Sequence, residues 1–175
     1  AATFIMTHGP KTGQDRWEEI GGYVPSTMAA EISGLRAAAY LLKEGAPAKL
    51  AYEWSTNLEN WVLTSKGPLG SNYYLRASPN GTPNAEESID IANNGGKAKA
   101  WEILDGGILE LVRLGVREAD DWRILNTLQL IESPQLGIVV RNPQDPAALA
   151  YRRYNRDGYG VGGTGGYWPL LAGEK

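Results

Sequence analysis

Pro25-Ser26-Thr27-Met28-Ala29-Ala30-Glu31-Ile32-Ser33-Gly34-Leu35-Arg36-Ala37-Ala38-Ala39-Tyr40-Leu41-Leu42 carries a single apolar stripe. Met28, Ile32, Leu35, Ala39 and Leu42 recur at steps of four, three, four and three, the spacing of one helix face. Pro25 followed by Ser26 and Thr27 suits a helix start. The spacing predicts a helix over 26–44, ended by Gly45, with enough alanine to let a neighbouring helix approach closely. A second stripe, Leu50, Trp54, Leu58 and Trp61, follows Pro47, which suits a first helical position. Lys66-Gly67-Pro68 stops it. A connection this short predicts that the two helices pack antiparallel as a hairpin.

Outward from the hairpin the pattern thins. Residues 67–100 read as an irregular stretch with two turn clusters, Ser78-Pro79-Asn80-Gly81-Thr82-Pro83-Asn84 and Asn93-Asn94-Gly95-Gly96. A third helix is expected over 103–114, weakened by Gly106-Gly107 and closed by Gly115. A fourth is expected over 120–132, with Asp120 and Asp121 at its start, Ile124, Leu128 and Ile131 inside, and Pro134 beyond its end. Residues 136–140 read as a short strand, the stretch to Tyr167 as glycine- and tyrosine-rich loop, and Trp168-Pro169-Leu170-Leu171 as the start of another helix. Helical hairpins joined by long loops fit an α/α toroid better than a four-helix bundle, whose loops are short.

Composition narrows the chemistry. The chain has 175 residues, enough for one domain with a real core, and 42% hydrophobic and 21% charged residues, close to globular averages. A net charge of −3 and a pI near 5.3 argue against nucleic-acid or anionic-membrane partners and suit a neutral ligand. There is no cysteine, so disulfides and thiolate metal sites are excluded, and His8 is the sole histidine. No metal site or cofactor is expected. Apolar runs are short, so no membrane span is expected. The missing initiator Met fits a processed or excised N-terminus, and the compartment stays open. Six tryptophans beside glycine-rich loops suit sugar binding, although a lone tryptophan is more often a core residue.

Chemistry concentrates in Gln14-Asp15-Arg16-Trp17-Glu18-Glu19-Ile20-Gly21-Gly22-Tyr23, which sets three carboxylates beside an arginine and a tryptophan just ahead of the first helix. A carboxyl group packed on an indole loses solvation, and its neutral form is favoured. Gln14 to Glu19, followed by Gly22-Tyr23-Val24-Pro25-Ser26-Thr27, resembles the general-acid segment of glycoside hydrolase family 15, in its bacterial glucoamylase and glucodextranase branch. Further stretches match in the same order: Tyr74-Leu75-Arg76, then 105–116 from Asp105-Gly106-Gly107 to Val116, then Arg153-Tyr154-Asn155-Arg156-Asp157-Gly158-Tyr159-Gly160, then Trp168 to Glu174.

The resemblance implies an all-α fold: antiparallel helical hairpins forming part of an (α/α)6 barrel, with 1–175 a single partial barrel domain. It implies an inverting, exo-acting α-glucosidase that releases terminal glucose from an α-glucan or oligosaccharide. Glu18 takes the role of general acid. Trp17 and Glu19 line the leaving-group side, Arg153 and Asp157 shape sugar binding, and Trp168 is an aromatic of the binding loops. The resemblance places the catalytic base beyond residue 174, so the 175 residues alone are expected to be inactive and to self-associate through uncovered barrel faces. The alternatives are a non-catalytic helical module that binds glucan or protein, and a trehalase-like relative on the same barrel.

Overall fold

The computed structural model describes residues 1–142, 144–160, 163 and 165–175. Its elements, in chain order, are α1 (Ala2–His8), β1 (Lys11–Thr12), β2 (Gly22–Tyr23), α2 (Pro25–Leu42), α3 (Gly45–Val62), β3 (Leu63–Thr64), β4 (Tyr73–Tyr74), β5 (Ser88–Ile91), β6 (Gly96–Lys99), α4 (Glu110–Arg113), α5 (Trp122–Ile131), β7 (Val139–Asn142), β8 (Asp145–Tyr151) and α6 (Pro169–Glu174). The strands form four antiparallel two-stranded pairs, β1–β2, β3–β4, β5–β6 and β7–β8.

The hairpin of α2 and α3 is the frame. Met28, Ala29, Ile32 and Leu35 of α2 are buried with Ala51, Trp54, Leu58 and Val62 of α3 in one cluster. Fully burying an aliphatic side chain contributes about 1.5–3 kcal/mol, so this seam sets the hairpin's register. The stripe fades at its far end, where Leu42 is 56% exposed beside exposed Tyr40 and Leu41. The break falls earlier than Gly45: Lys43 takes the left-handed conformation at φ 56°, and Gly45 already opens α3.

Three sequence expectations need correction. The third helix is short. A 3₁₀ turn at Gly106–Leu109 runs into α4, because Ile103 to Asp105 stay extended and Asp105 bridges Tyr154. Its end matches the sequence reading: the Val116 N–H reaches Leu111 O at 2.8 Å and the Gly115 N–H reaches Val112 O at 3.0 Å, with Gly115 at φ 67°. That is a Schellman stop. The irregular stretch holds the β5–β6 hairpin, whose Ser88-Ile89-Asp90-Ile91 alternates exposed and buried around the Asn93-Asn94-Gly95-Gly96 turn. The tyrosine-rich loop begins with β8, which pairs with the expected short strand. At residues 143, 161, 162 and 164 the loop reading lies outside the described residues.

Helix α5 starts where Asp121 caps it, its carboxylate accepting the Arg123 N–H at 2.9 Å. It is tied to α3 through Glu59, whose carboxylate accepts from Tyr74 Oη at 2.6 Å and from Arg117 at 2.8 Å, with Arg123 at 3.3 Å. Burial works against the charge on Glu59, but the hydrogen bonds from Arg117 and Tyr74 and the charges of Arg117 and Arg123 prevail, holding its pKa below the usual value. A depressed folded-state pKa stabilises the fold above the ordinary glutamate range, near 4.3, and that contribution is lost as pH falls through the folded value. Glu59→Gln is expected to cost about 1–3 kcal/mol at neutral pH, and the difference from the parent should shrink in acid. Urea unfolding at pH 7 and pH 3 checks both; equal gaps at the two pH values would contradict the assignment.

Among the described residues, no helix is long and apolar enough to cross a membrane.

Candidate active site

The cleft sits where the loop between β1 and β2 meets the β5–β6 turn and the stretch between β8 and α6. It encloses about 640 Å³ and is lined by Arg16, Trp17, Glu18, Glu19, Ala92, Asn93, Arg153, Tyr159 and Trp168. Five of the six residues singled out in the sequence, Trp17, Glu18, Glu19, Arg153 and Trp168, thus come to one place. Asp157 lies just behind them, buried at 4% exposure against Arg153.

Asp15 builds the acid loop. Its Oδ1 accepts the N–H groups of Trp17 at 3.1 Å and Glu19 at 3.0 Å, and its carbonyl accepts the Glu18 N–H at 3.0 Å. This wrap forces Glu18 to φ 60°, a left-handed backbone uncommon for a residue with a side chain. Such strain persists only where the surroundings over-determine it, and here they do: Asp15 Oδ2 accepts from Arg76 Nε at 3.1 Å and from its Nη2 at 2.7 Å.

The two neighbouring glutamates meet opposite fates. Glu19 accepts from Asn93 Nδ2 at 2.8 Å and Arg153 Nη2 at 2.9 Å on Oε1. On Oε2 it accepts from Arg76 Nη2 at 2.8 Å and from Tyr154 Oη. A carboxylate offers about four lone-pair sites, so Glu19 is saturated. Asp157 is likewise occupied, by Arg153 at 2.8 and 2.6 Å and by the Tyr159 N–H at 2.9 Å. Glu18 is exposed, and its carboxylate has no protein partner among the described residues. It is the free carboxyl group of the cleft.

The walls are aromatic. The Trp17 and Trp168 rings lie 5.5 Å apart at 55°, and Trp168 faces Tyr159 at 6.1 Å. The Arg153 guanidinium lies 5.5 Å from the Trp17 ring, 4.8 Å from Tyr159 and 5.4 Å from Trp168. Among the described residues Trp168 Nε1 is buried without a partner, beside the cleft.

Beneath the cleft lies a buried ionic floor that the sequence reading did not assign. Arg76, 1% exposed, faces Asp15, Glu19 and Asp105, and its guanidinium stacks on Tyr154 at 3.5 Å. Asp105 accepts the Trp17 indole N–H at 2.6 Å and the Gly107 N–H at 2.6 Å. Burial pushes its carboxyl up to about 6, against the opposing Arg76 charge and those hydrogen bonds. The available signal was a charged residue inside the apolar run Tyr73-Tyr74-Leu75-Arg76-Ala77, because a buried charge demands partners. Asn93, Tyr154 and Tyr159 were also missed; their roles depend on contacts remote in sequence.

Among the described residues, no cluster of three or more His, Asp or Glu side chains could hold a metal ion. A second groove of about 430 Å³, lined by Ser71, Asn72, Trp122, Leu125, Asn126 and Gln129, carries no ionisable group among these residues and so offers no acid or base.

Comparison with known proteins agrees with this geometry. The model of glycosyl hydrolases family 15 matches residues 1–172. A glucoamylase of Clostridium sp. (strain G0005) is 44% identical over 99% of this chain and 26% of its own length. The crystal structure of a bacterial glucoamylase complexed with acarbose superposes with a TM-score of 0.91 at 45% identity, covering 99% of this chain and 27% of that one. The chain therefore spans about a quarter of the length of the relatives it matches.

Proposed function

Since the chain belongs to glycosyl hydrolases family 15, we propose that it forms the general-acid side of an inverting, exo-acting α-glucosidase site, with Glu18 as proton donor to the glycosidic oxygen. The observation that carries this reading is the contrast between the glutamates: Glu19 has four donors on it, whereas Glu18 presents to an aromatic cleft a carboxyl that no described residue engages. The superposed glucoamylase holds acarbose, a ligand of sugar type, and the −3 net charge and aromatic walls suit a neutral glucan.

Each remaining residue then has a task. Trp17 and Trp168 offer apolar faces to pyranose C–H groups. Arg153, held by Asp157 and Glu19, presents a fixed cation at the cleft wall. Glu19 acts by holding Arg153 and Asn93, and a sugar hydroxyl reaches it only by replacing the Asn93 amide. Inversion needs a second carboxylate roughly 6.5–9.5 Å from the acid, with room for water. Glu19 and Asp157, the other carboxylates at this cleft, are both committed to donors, so the base must come from outside these residues.

Titration of the 175-residue chain with maltotriose should change tryptophan fluorescence, and Trp168→Ala should weaken binding about two- to tenfold, the worth of one aromatic contact. Binding unaffected by Trp168→Ala would place the sugar elsewhere.

A further inference from the structure

The aromatic wall of the cleft needs something to hold it. Trp17 sits in a glycine-flanked loop, and a ring on such a loop can turn about its side-chain bonds unless its N–H is engaged. Its one polar atom goes down, away from the cleft, to Asp105 Oδ2 at 2.6 Å. The other Asp105 oxygen is fixed by the Gly107 N–H at 2.6 Å, so the carboxylate cannot swing. Gly107 is equally constrained: a side chain there would meet Arg16 Cδ and Asp105 Oδ1, each 2.9 Å from an added Cβ.

The chain on either side of Asp105 is tied to the adjoining wall. Asp105 bridges Tyr154 in antiparallel fashion, with the Gly106 N–H on Arg153 O at 2.9 Å and the Asn155 N–H on Leu104 O at 3.3 Å. The Asn155 side chain completes the clamp, accepting the Leu104 N–H at 2.7 Å and donating to Glu102 O at 2.7 Å. Asp105 therefore holds the Trp17 ring with its carboxylate, while its neighbours Leu104 and Gly106 hold the Arg153 segment with their main chains.

We propose that Asp105 is a positioning residue of the sugar site, which sets the spacing of the Trp17 wall from the Trp168 and Arg153 wall and so determines affinity for the sugar on the leaving-group side. It touches no substrate; it acts through the Trp17 indole. The inference rests on the glycosidase reading above. The charged groups facing Asp105 are Arg76 at 3.7 Å, with Asp15 and Arg16 beside it. Arg76 balances its charge, so the hydrogen bond to Trp17 is a charge-assisted one, stronger than a neutral pair.

The test uses Asp105→Asn. The amide keeps an acceptor for the Gly107 N–H but turns an NH₂ towards the indole N–H, donor against donor. In ¹H–¹⁵N spectra of the 175-residue chain, the Trp17 indole signal, identified by its absence in Trp17→Phe, should move upfield and exchange faster with solvent. Those of Trp54, Trp61, Trp101 and Trp122 should stay. Maltotriose affinity should fall about tenfold, the order expected for a lost hydrogen bond to a charged group. The double variant Asp105→Asn/Trp17→Phe should bind no worse than the weaker single, because both remove one contact. An unmoved Trp17 signal, unchanged affinity despite a moved signal, or losses that multiply in the double variant would each overturn the proposal. If all six indole signals move together, Asp105 is a stability residue and the proposal falls. A parent chain that binds no maltotriose sinks the functional reading instead, and the Trp17 signal alone then decides for or against Asp105.

Discussion

Glu18→Gln is expected to remove about 10²–10⁴-fold of the maltose hydrolysis rate, the usual worth of general acid catalysis. The suitable host is a chimaera in which this chain replaces the matching 27% of the solved bacterial glucoamylase, so that the remaining helices and a base are supplied. The amide keeps the shape of the side chain, and the Glu18 carboxylate has no partner among the described residues to lose, so the fold should not change. The loss should depend on the leaving group. Maltose departs as a poor alkoxide unless protonated, whereas α-glucosyl fluoride departs as fluoride and needs little acid help, so its hydrolysis should be largely spared. The parent chimaera should release β-glucose, since a carboxylate pair spaced for water inverts the anomeric centre. Equal losses on both substrates, or full maltose activity in Glu18→Gln, would move the acid to another residue. Glu19→Gln should behave differently: it strips an acceptor from Arg76, Arg153, Asn93 and Tyr154 together, and so should harm both substrates alike.

The contrast between Glu18 and Glu19 marks how far sequence reading reaches. The hairpin of α2 and α3 was legible because burial and helical period coincide at Met28, Ile32 and Leu35, and at Trp54 and Leu58. The cluster at 15–19 was legible from its own residues, and 153–157 only through the family resemblance. The backbone of Glu18 was not, because φ 60° there is imposed by Asp15 and Arg76 rather than by local propensity. The β5–β6 hairpin escaped notice although its turn was read, because strands of four residues leave too little alternation to register. The third helix was over-extended because the period of 103–114 is helical while Asp105 is held extended by Tyr154, a partner 49 positions away. Tertiary pairing overrode local preference there. The floor of Arg76, Asp15 and Asp105 lies in the same class: each residue was quoted, but nothing in their spacing says that they meet.

That floor carries the second large effect. Arg76→Met should destabilise the fold by about 3–5 kcal/mol, the cost of removing one partner from a buried ionic group. Methionine fills much of the arginine stem's volume, so the loss is electrostatic rather than a cavity. It leaves Asp15, Glu19 and Asp105, with side chains 1%, 10% and 8% exposed, without their shared cation. Arg76→Lys should lie between, because an ammonium cannot reproduce the paired contacts of Nε and Nη2 to Asp15 or the stacking on Tyr154. The pH dependence follows from Asp105, whose folded-state pKa is already pushed up to about 6 against an ordinary value near 3.9. A raised folded-state pKa gives stability that is fully present below the unfolded value and lost as pH rises through the folded one. Without Arg76 the cluster binds protons more tightly still, so the gap between variant and parent should be widest near pH 8 and narrow towards pH 5. Guanidinium unfolding at both pH values measures it. A variant within about 1 kcal/mol of the parent at pH 8, the scale of an exposed ion pair, would mean that the three carboxylates are balanced by something other than Arg76.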